Sequence, residues 1–282
     1  SFQQVEQLYS LNKFTQRYFP FVNFMLISHI LTIFDQMLNG KSISVVLPAY
    51  NAAETLEMTY KEIPMDIIDH IILVDDGSKD QTAKKAQELQ IEHLICHEYN
   101  KGYGGNQKSC YSKALALNSD IIIMLHADYQ YTPKLIHALS SMIAYDVYSV
   151  VLGSRILGKG ALKGGMPLYK YMANRFLTFF QNVLMGQKLS EYHTGYRGFS
   201  KEVFSHISIE NNSDDFIFDN QMIAQLCYKG YSIGELSCPT KYDEGSSSIN
   251  FNKSIVYGIG VMKTSLLYRL AKWRIYTSKI FK

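Results

Sequence analysis

The feature that most constrains this chain is a set of five short apolar runs, at 43–47, 71–74, 93–96, 121–125 and 150–152, spaced by stretches with helical periodicity. The runs are rich in β-branched residues and four or five residues long or shorter, which suits strands rather than helices. The intervening patterns predict helices over 53–63, stopped at Pro64, over 81–90 and over 106–117. Another helix starts at Pro133, with Thr132 as its N-cap. The fourth run, Ile121-Ile-Ile-Met-Leu125, has no polar position, as expected of a strand covered on both faces. Strands alternating with helices predict an α/β fold: a mainly parallel, Rossmann-like sheet flanked by helices. The 282 residues accommodate one large domain of this kind over residues 41–250. Residues 1–40 are expected to be an N-terminal helical extension ending at Asn39-Gly40, and 251–282 a basic amphipathic C-terminal helix.

Composition narrows the function. Lys plus Arg number 28 against 25 for Asp plus Glu, a net charge of +3, which argues against a nucleic-acid partner. The four cysteines contain no C-x-x-C pair, so a zinc ribbon and a thioredoxin-type site are excluded, and reduced cytoplasmic thiols are expected. No apolar run reaches the ~20 residues of a membrane span; the nearest, 18–34, is interrupted by Pro20, Asn23, Ser28 and His29. No Walker sequence and no G-x-G-x-x-G after the first strand are present, which removes the P-loop NTPase and dinucleotide classes.

In a parallel α/β sheet, ligands bind beyond the carboxyl ends of the strands. The five runs end in Pro48-Ala-Tyr-Asn51, Asp75-Asp-Gly-Ser78, Asn100-Lys-Gly-Tyr-Gly-Gly105, His126-Ala-Asp-Tyr-Gln130 and Gly153-Ser-Arg155, all polar or glycine-rich. His126, Asp128 and Gln130 alternate, so an extended backbone puts them on one face, where they could hold a divalent ion such as Mg²⁺ or Mn²⁺. Helix capping by Asp128 accounts for the same residue without a metal. Asp75 and Asp76 could accept from a nucleoside or simply build a turn with Gly77. Gly102, Gly104 and Gly105 open a helix whose N–H groups could attract phosphate.

Taken together and in this order, Val45-Val-Leu-Pro-Ala-Tyr-Asn51, Val74-Asp-Asp-Gly-Ser-Lys-Asp-Gln-Thr82, Asn100-Lys-Gly102 and His126-Ala-Asp128 resemble the family 2 nucleotide-sugar glycosyltransferases of GT-A fold, most of all the dolichyl- or polyprenyl-phosphate sugar synthase branch. The resemblance covers about residues 41–250. It implies that Pro48, Ala49, Tyr50, Asn51 and Glu54 line the donor nucleotide pocket. Asp75, Asp76, Gly77, Ser78, Lys101, Gly102 and Ala127 would complete it. It implies that Asp128 is the central carboxylate for Mg²⁺ or Mn²⁺, with Gln130 and His126 as co-ligands. That branch carries Asp-Ala-Asp-x-Gln, whereas this chain reads His-Ala-Asp-Tyr-Gln, and the imidazole puts the strength and choice of metal in question.

The second half supplies the acceptor side. Arg155, Lys159, Lys163, Lys170 and Arg175, with glycines at 158, 160, 164 and 165 and no acid from 153 to 175, read as a mobile, anion-binding lid or as a solvated basic loop. Arg155 and Arg197 resemble family positions near the phosphates, and Arg suits bidentate phosphate contact. Asp219, then Asp215, are the carboxylates expected near a hydroxyl acceptor as general base, and a phosphate acceptor would need none. His193 is a further residue that could touch acceptor or diphosphate. After Glu244 the chain has no acid, and Ile255, Ile259, Met262, Leu266, Leu270 and Trp273 recur at helical spacing beside seven basic residues. That pattern fits a helix on an anionic membrane surface as well as one docked on the core.

The expected activity is inverting transfer from a UDP- or GDP-linked sugar to a polyprenyl phosphate at the cytoplasmic membrane face. The alternatives are a hydroxyl acceptor on a glycan or protein, and a nucleotide-sugar-binding protein without catalysis.

Overall fold

The computed structural model describes residues 38–158, 160–240, 242 and 251–282. The reading of 1–40 as a helical extension therefore lies outside the described residues up to position 37; Leu38–Gly40 form a turn in which Asn39 and Gly40 both have positive φ.

Seven strands form one sheet: β1 (Ile43–Ala49), β2 (His70–Asp75), β3 (His93–Cys96), β4 (Ile121–Met124), β5 (Val150–Ser154), β6 (Arg197–Ser200) and β7 (Ile233–Ser237), in the order β3-β2-β1-β4-β6-β5-β7. All neighbours are parallel except β6, which runs antiparallel to both β4 and β5. The described helices are α1 (Leu56–Lys61), α2 (Thr82–Glu88), α3 (Tyr103–Ala116), α4 (Ile136–Ala144), α5 (Gly160–Lys163), α6 (Leu168–Met185), α7 (Val203–His206), α8 (Phe218–Lys229) and α9 (Phe251–Lys272).

The alternation within strands divides two cores. Val46, Ile72, Val74, Ile122 and Met124 pack on one face with residues of α3 and α8, such as Tyr111, Ala114, Met222 and Ile223. Val45, Leu47, Ile71, Leu73, Ile121 and Ile123 pack on the other with Leu56, Ala86, Ile136 and Leu139. A strand clothed on both faces needs no polar position, which is why β4 reads as an uninterrupted apolar run.

The expectation of a C-terminal helix over 251–282 is corrected: α9 ends at Lys272. Residues 153–175 are not one long loop: they hold the short α5 and the first turns of α6, an 18-residue helix ending at Gly186 in left-handed conformation. The strand orders reverse on either side of β1, between β2 and β4, so the carboxyl ends of β1 and β4 diverge into the crevice where ligands bind in open α/β sheets.

Candidate active site

A cavity of about 920 Å³ lies at that crevice, a volume in the range of small-molecule sites. Pro48, Ala49, Tyr50 and Asn51 from the end of β1, Asp76 after β2, Gly102 at the start of α3, and His126, Ala127, Asp128 and Gln130 after β4 line one part of it. Arg155, Lys170, His193, Asp215, Asp219, Lys253 and Tyr257 line the rest. Glu54, Asp75, Gly77, Ser78 and Lys101, expected at the nucleotide, do not line it. Asp75 instead accepts from the backbone N–H of Ser78 at 3.2 Å and bonds its hydroxyl, and Ser78 Oγ in turn accepts from the Asn51 N–H at 2.8 Å. These residues hold the β1 and β2 loops together, and Asp76 alone of the acidic pair reaches the cavity wall.

Asp76 organises the next element. Its carboxylate accepts from the N–H groups of Lys101 at 2.8 Å and Gly102 at 3.0 Å, and meets His97 Nδ1 at 2.7 Å. Gly102 has φ +87°, and a Cβ there would meet the Asp214 carbonyl oxygen at 2.6 Å, so the turn requires glycine. The expectation that the glycine-rich start of α3 offers N–H groups to phosphate is corrected: Gly104 and Gly105 both donate to the Asp214 carbonyl oxygen, at 2.7 and 3.2 Å.

Arg197 is also corrected as a residue at the phosphates. It sits in β6, fully buried, outside the cavity lining, with Nη1 2.8 Å from Asp219 Oδ1. Asp219 Oδ2 accepts from Tyr103 Oη at 2.6 Å, and the same Tyr103 oxygen lies 3.0 Å from His126 Nε2. Tyr103 has a single hydroxyl proton, and the carboxylate takes it; His126 Nε2 must then donate to the Tyr103 oxygen. The chain Arg197–Asp219–Tyr103–His126 fixes the His126 tautomer and leaves Nδ1 with its lone pair. Burial holds the His126 pKa below the ordinary histidine value, against the opposite pull of Asp128 and Asp219, so the ring is neutral at neutral pH. Burial, then the Asp219 charge, likewise raises the Tyr103 hydroxyl well above its usual range.

Arg155 does line the cavity, but its charge is largely matched. Glu191, fully buried, pairs with its guanidinium and accepts from its backbone N–H at 2.8 Å; Nη1 donates to Tyr242 Oη and Nη2 to the His193 carbonyl, both at 2.8 Å. Burial alone would raise the Glu191 carboxyl; the Arg155 charge overrides it and holds the pKa below the ordinary value. Lys170 and Lys253 add positive charge to the cavity lining.

The stretch after β4 is not extended as expected: Ala127 and Asp128 form a turn, Tyr129 has positive φ, and Asp128 Oδ1 accepts from the Gln130 N–H at 3.1 Å. His126, Asp128 and Gln130 nonetheless all line the cavity, and as donor types they fit a divalent ion that takes further oxygens from a diphosphate. Asp128 offers a half-buried carboxylate, Gln130 an amide oxygen, and His126 a neutral ring whose opposite nitrogen is already oriented by a hydrogen bond.

Tyr103 and Glu191 are site residues that no sequence motif marks. Their partners lie 116 residues away for Tyr103 to Asp219 and 36 residues away for Glu191 to Arg155, and no local spacing signals either.

With this geometry in place, residues 44–208 match the family model described as Glycosyl transferase family 2. The chain belongs to glycosyl transferase family 2. It is similar, at 29% identity over 83% of this chain and 94% of the relative, to an uncharacterised protein of Methanocaldococcus jannaschii. At 29% identity over 82% of this chain and 98% of the relative, it is also similar to the UDP-N-acetylglucosamine–dolichyl-phosphate N-acetylglucosaminyltransferase of Methanococcus voltae. Among solved structures, glucosyl-3-phosphoglycerate synthase of Mycobacterium tuberculosis in complex with Mg²⁺ and UDP superposes with TM-score 0.65 at 16% identity, covering 88% of this chain and 85% of that one. The complex of the same enzyme with Mn²⁺, UDP-glucose and glycerol 3-phosphate gives TM-score 0.64 at 15% identity, covering 87% and 84%. The fold of this family 2 glycosyltransferase is thus GT-A.

Proposed function

We propose that this enzyme transfers a hexosyl group from a UDP- or GDP-linked sugar to a polyprenyl phosphate at the cytoplasmic face of a membrane, with inversion at the anomeric carbon. The observation that carries the choice of acceptor is the engagement of Asp219. Its two oxygens are held by Arg197 and Tyr103, so the carboxylate expected as general base has a structural task. A phosphate monoester is ionised at neutral pH and attacks without a base.

Pro48, Ala49, Tyr50, Asn51, Asp76, Gly102 and Ala127 would hold the nucleotide. Asp128, Gln130 and His126 would hold Mg²⁺ or Mn²⁺, whose chemistry is to neutralise charge on the leaving diphosphate. Arg155, Lys170 and Lys253 place cations where the two phosphate-bearing substrates meet, with Arg155 oriented by Glu191. The solved neighbours hold UDP with Mn²⁺ or Mg²⁺, and the Methanococcus voltae relative is named for a dolichyl-phosphate acceptor, which supports this reading.

An apolar surface supports the lipid part. On α6, Met172, Phe176, Phe179 and Val183 are exposed at a spacing that puts them on one stripe; on α9, which packs against α6, Ile255, Val256 and Ile259 are exposed. Phe176 and Ile255 belong both to this exposed set and to the cavity lining, as does Tyr169, exposed on α6, so an isoprenoid chain could leave the site along apolar side chains. Lys170, Arg175, Lys253 and Lys263 lie on the same two helices and suit anionic headgroups. Among the described residues no helix is long and apolar enough to cross a membrane; the contact proposed for α6 and α9 is an interfacial one through these exposed stripes.

A second reading, transfer to a hydroxyl, is favoured by Asp215, which is exposed and lines the cavity and could act as base. The test begins with nucleotide-sugars screened by thermal shift and calorimetry, with Mn²⁺, Mg²⁺ or chelator, on wild type and Asp128→Ala. The selected donor is then supplied with a short polyprenyl phosphate or with hydroxyl acceptors, and the anomeric configuration of the product is read by NMR. Metal-dependent transfer to the phosphate, retained in Asp215→Asn, supports the proposal. Transfer to hydroxyls alone, abolished in Asp215→Asn, selects the second reading. Absence of donor binding in folded protein leaves a non-catalytic interaction protein.

A further inference from the structure

The opposite end of the sheet carries a second cluster of ligand-type side chains. His70 is the first residue of β2 and His93 the first of β3; Glu92 immediately precedes β3. In the parallel register Ile72 is opposite His93, so His93 lies on the Ile72 face, and His70, two residues before Ile72, shares it. The donor atoms converge. His93 Nε2 is 3.4 Å from His70 Nδ1, Glu92 Oε2 is 3.7 Å from His70 Nδ1, and Glu92 Oε1 is 3.5 Å from His93 Nε2. This is the one set of three or more His, Cys, Asp or Glu donors among the described residues that lies within mutual reach of a single ion.

Those separations have a specific meaning. Donors held 2.0–2.1 Å from an ion at tetrahedral angles stand ~3.3 Å apart. The His70–His93 edge is within about a tenth of an ångström of that value, and each imidazole has its own Glu92 oxygen within a few tenths, so a side-chain adjustment that brings one Glu92 oxygen to both rings would close the cluster on a metal. Two imidazoles and one carboxylate are the donor types of zinc sites with an open fourth position, whereas Mg²⁺ and Ca²⁺ prefer all-oxygen sets. His70 and His93 are partly buried and Glu92 is exposed, which leaves an entry side.

We propose that His70, Glu92 and His93 form a zinc-binding site, with water in the fourth position, that clips the edge strand β3 to β2. β3 is four residues long, lies at the end of the sheet, and has no fully buried residue, so it has little packing of its own. A bridge between the first residues of the two strands would fasten it at the end remote from the cavity. The site is distinct from the His126–Asp128–Gln130 set, and it does not depend on the transferase reading.

The test uses tag-free full-length protein carrying Asp128→Ala, so that the cavity's carboxylate does not contribute. Zn²⁺ alone is titrated against a competing chromogenic chelator, and the melting temperature is recorded with and without Zn²⁺. The expected result is one Zn²⁺ per chain and a raised melting temperature. His70→Gln, His93→Gln and the exposed, mild Glu92→Gln should each weaken Zn²⁺ at least about tenfold and remove the thermal shift. Co²⁺ in place of Zn²⁺ should give the visible absorption of a four-coordinate site in the parent and not in the variants. Zn²⁺ binding that is absent in the parent, or unchanged in folded Glu92→Gln and His70→Gln, would overturn the proposal.

Discussion

Tyr103 Oη donates to Asp219 Oδ2 at 2.6 Å, joining the first turn of α3 to the first turn of α8 across 116 residues of sequence. Because the same oxygen accepts from His126 Nε2, one hydroxyl couples the carboxylate expected as base to the motif expected to hold metal. Tyr103→Phe keeps the ring contacts with Phe216 and His126, whose centroids lie 5.0 and 5.4 Å away, and deletes only the hydroxyl. The buried Asp219 oxygen and the His126 N–H then each lose a partner, at about 1–3 kcal/mol for a buried group left unsatisfied. Metal-dependent donor binding should weaken by about tenfold, as for loss of a group that orients a ligating histidine. Urea unfolding and donor calorimetry on the variant check both; unchanged donor affinity would separate His126 from the metal.

Asp219→Asn tests whether that carboxylate is a base or an anchor. Arg197 is fully buried, and its Nη1 faces Asp219. Removing the negative partner strands a buried cation, a change that typically costs about 3–5 kcal/mol. The expected outcome is a fall in the unfolding free energy of that order, read from urea titration, accompanied by loss of activity. A variant as stable as wild type but inactive toward a hydroxyl acceptor would restore the general-base role.

The parts of this protein visible in its sequence are those set by local periodicity. The first five strands and the loops after them could be read because each strand is a short apolar run and each loop carries turn chemistry. β6 and β7 could not. Arg197-Gly-Phe-Ser200 has a charged first residue and a glycine, and only the burial of Arg197 against Asp219 explains such a sequence in a sheet interior. Gly198 is there because a Cβ would meet the side chains of Ile143 and Ile123 at 2.8 and 2.9 Å, a tertiary constraint. The cavity lining was partly legible, since strand-end residues such as Asn51, Asp76 and Asp128 do reach it. Arg155 and Arg197 resemble family positions near the phosphates, yet each is paired to a buried acid that sequence spacing does not reveal. A glycine-rich helix start suggests N–H groups open to phosphate, and the Asp214 carbonyl takes those of Gly104 and Gly105.

Acid should destabilise the fold through His193. Burial lowers its pKa to about 4, its Nδ1 meets Tyr257 Oη at 2.7 Å, and its Nε2 is buried without a hydrogen bond. An unfolded histidine titrates near ~6.5. Between those two values the unfolded chain takes up a proton that the folded imidazole refuses, so stability is intact above about pH 6.5 and is lost as pH falls toward about 4, by roughly 3 kcal/mol at most. His126, also lowered by burial, contributes with the same sign. Urea midpoints at pH 7 and pH 5 should differ more for wild type than for His193→Gln; equal pH dependence would remove His193 from this effect.

The exposed stripes of α6 and α9 should bind anionic vesicles. Phe179 and Val256 are exposed and do not line the cavity. Phe179→Glu with Val256→Glu places charge in the stripe while leaving the donor site intact. Flotation with phosphatidylglycerol vesicles should recover wild type at low salt, less of it at high salt, and little of the double variant. Calorimetric donor affinity should be the same in both proteins. Equal flotation of the two would show that the membrane contact lies elsewhere.

His126 is where this chain departs from the two-carboxylate motif, and the structure shows what the imidazole does that a carboxylate would not. Its Nε2–H gives the Tyr103 oxygen a donor, while its ring stacks on Tyr103 at 28° between planes. Gly195 makes room for it, since a Cβ there would overlap His126 Nε2 and Cδ2. Replacement by Asp shortens the side chain, removes the donor to Tyr103 and adds a second charge near Asp128. One added carboxylate should shift ion preference toward the hard, oxygen-seeking Mg²⁺, while the wild-type imidazole accommodates Mn²⁺ and later transition ions. In transfer assays, the ratio of Mn²⁺-supported to Mg²⁺-supported rate should therefore fall in His126→Asp relative to wild type. The gap left beside Gly195, and a Tyr103 oxygen facing two carboxylates, should lower total activity and the melting temperature together. An unchanged metal ratio would place His126 outside the coordination shell and leave Asp128 and Gln130 as the ion's protein ligands.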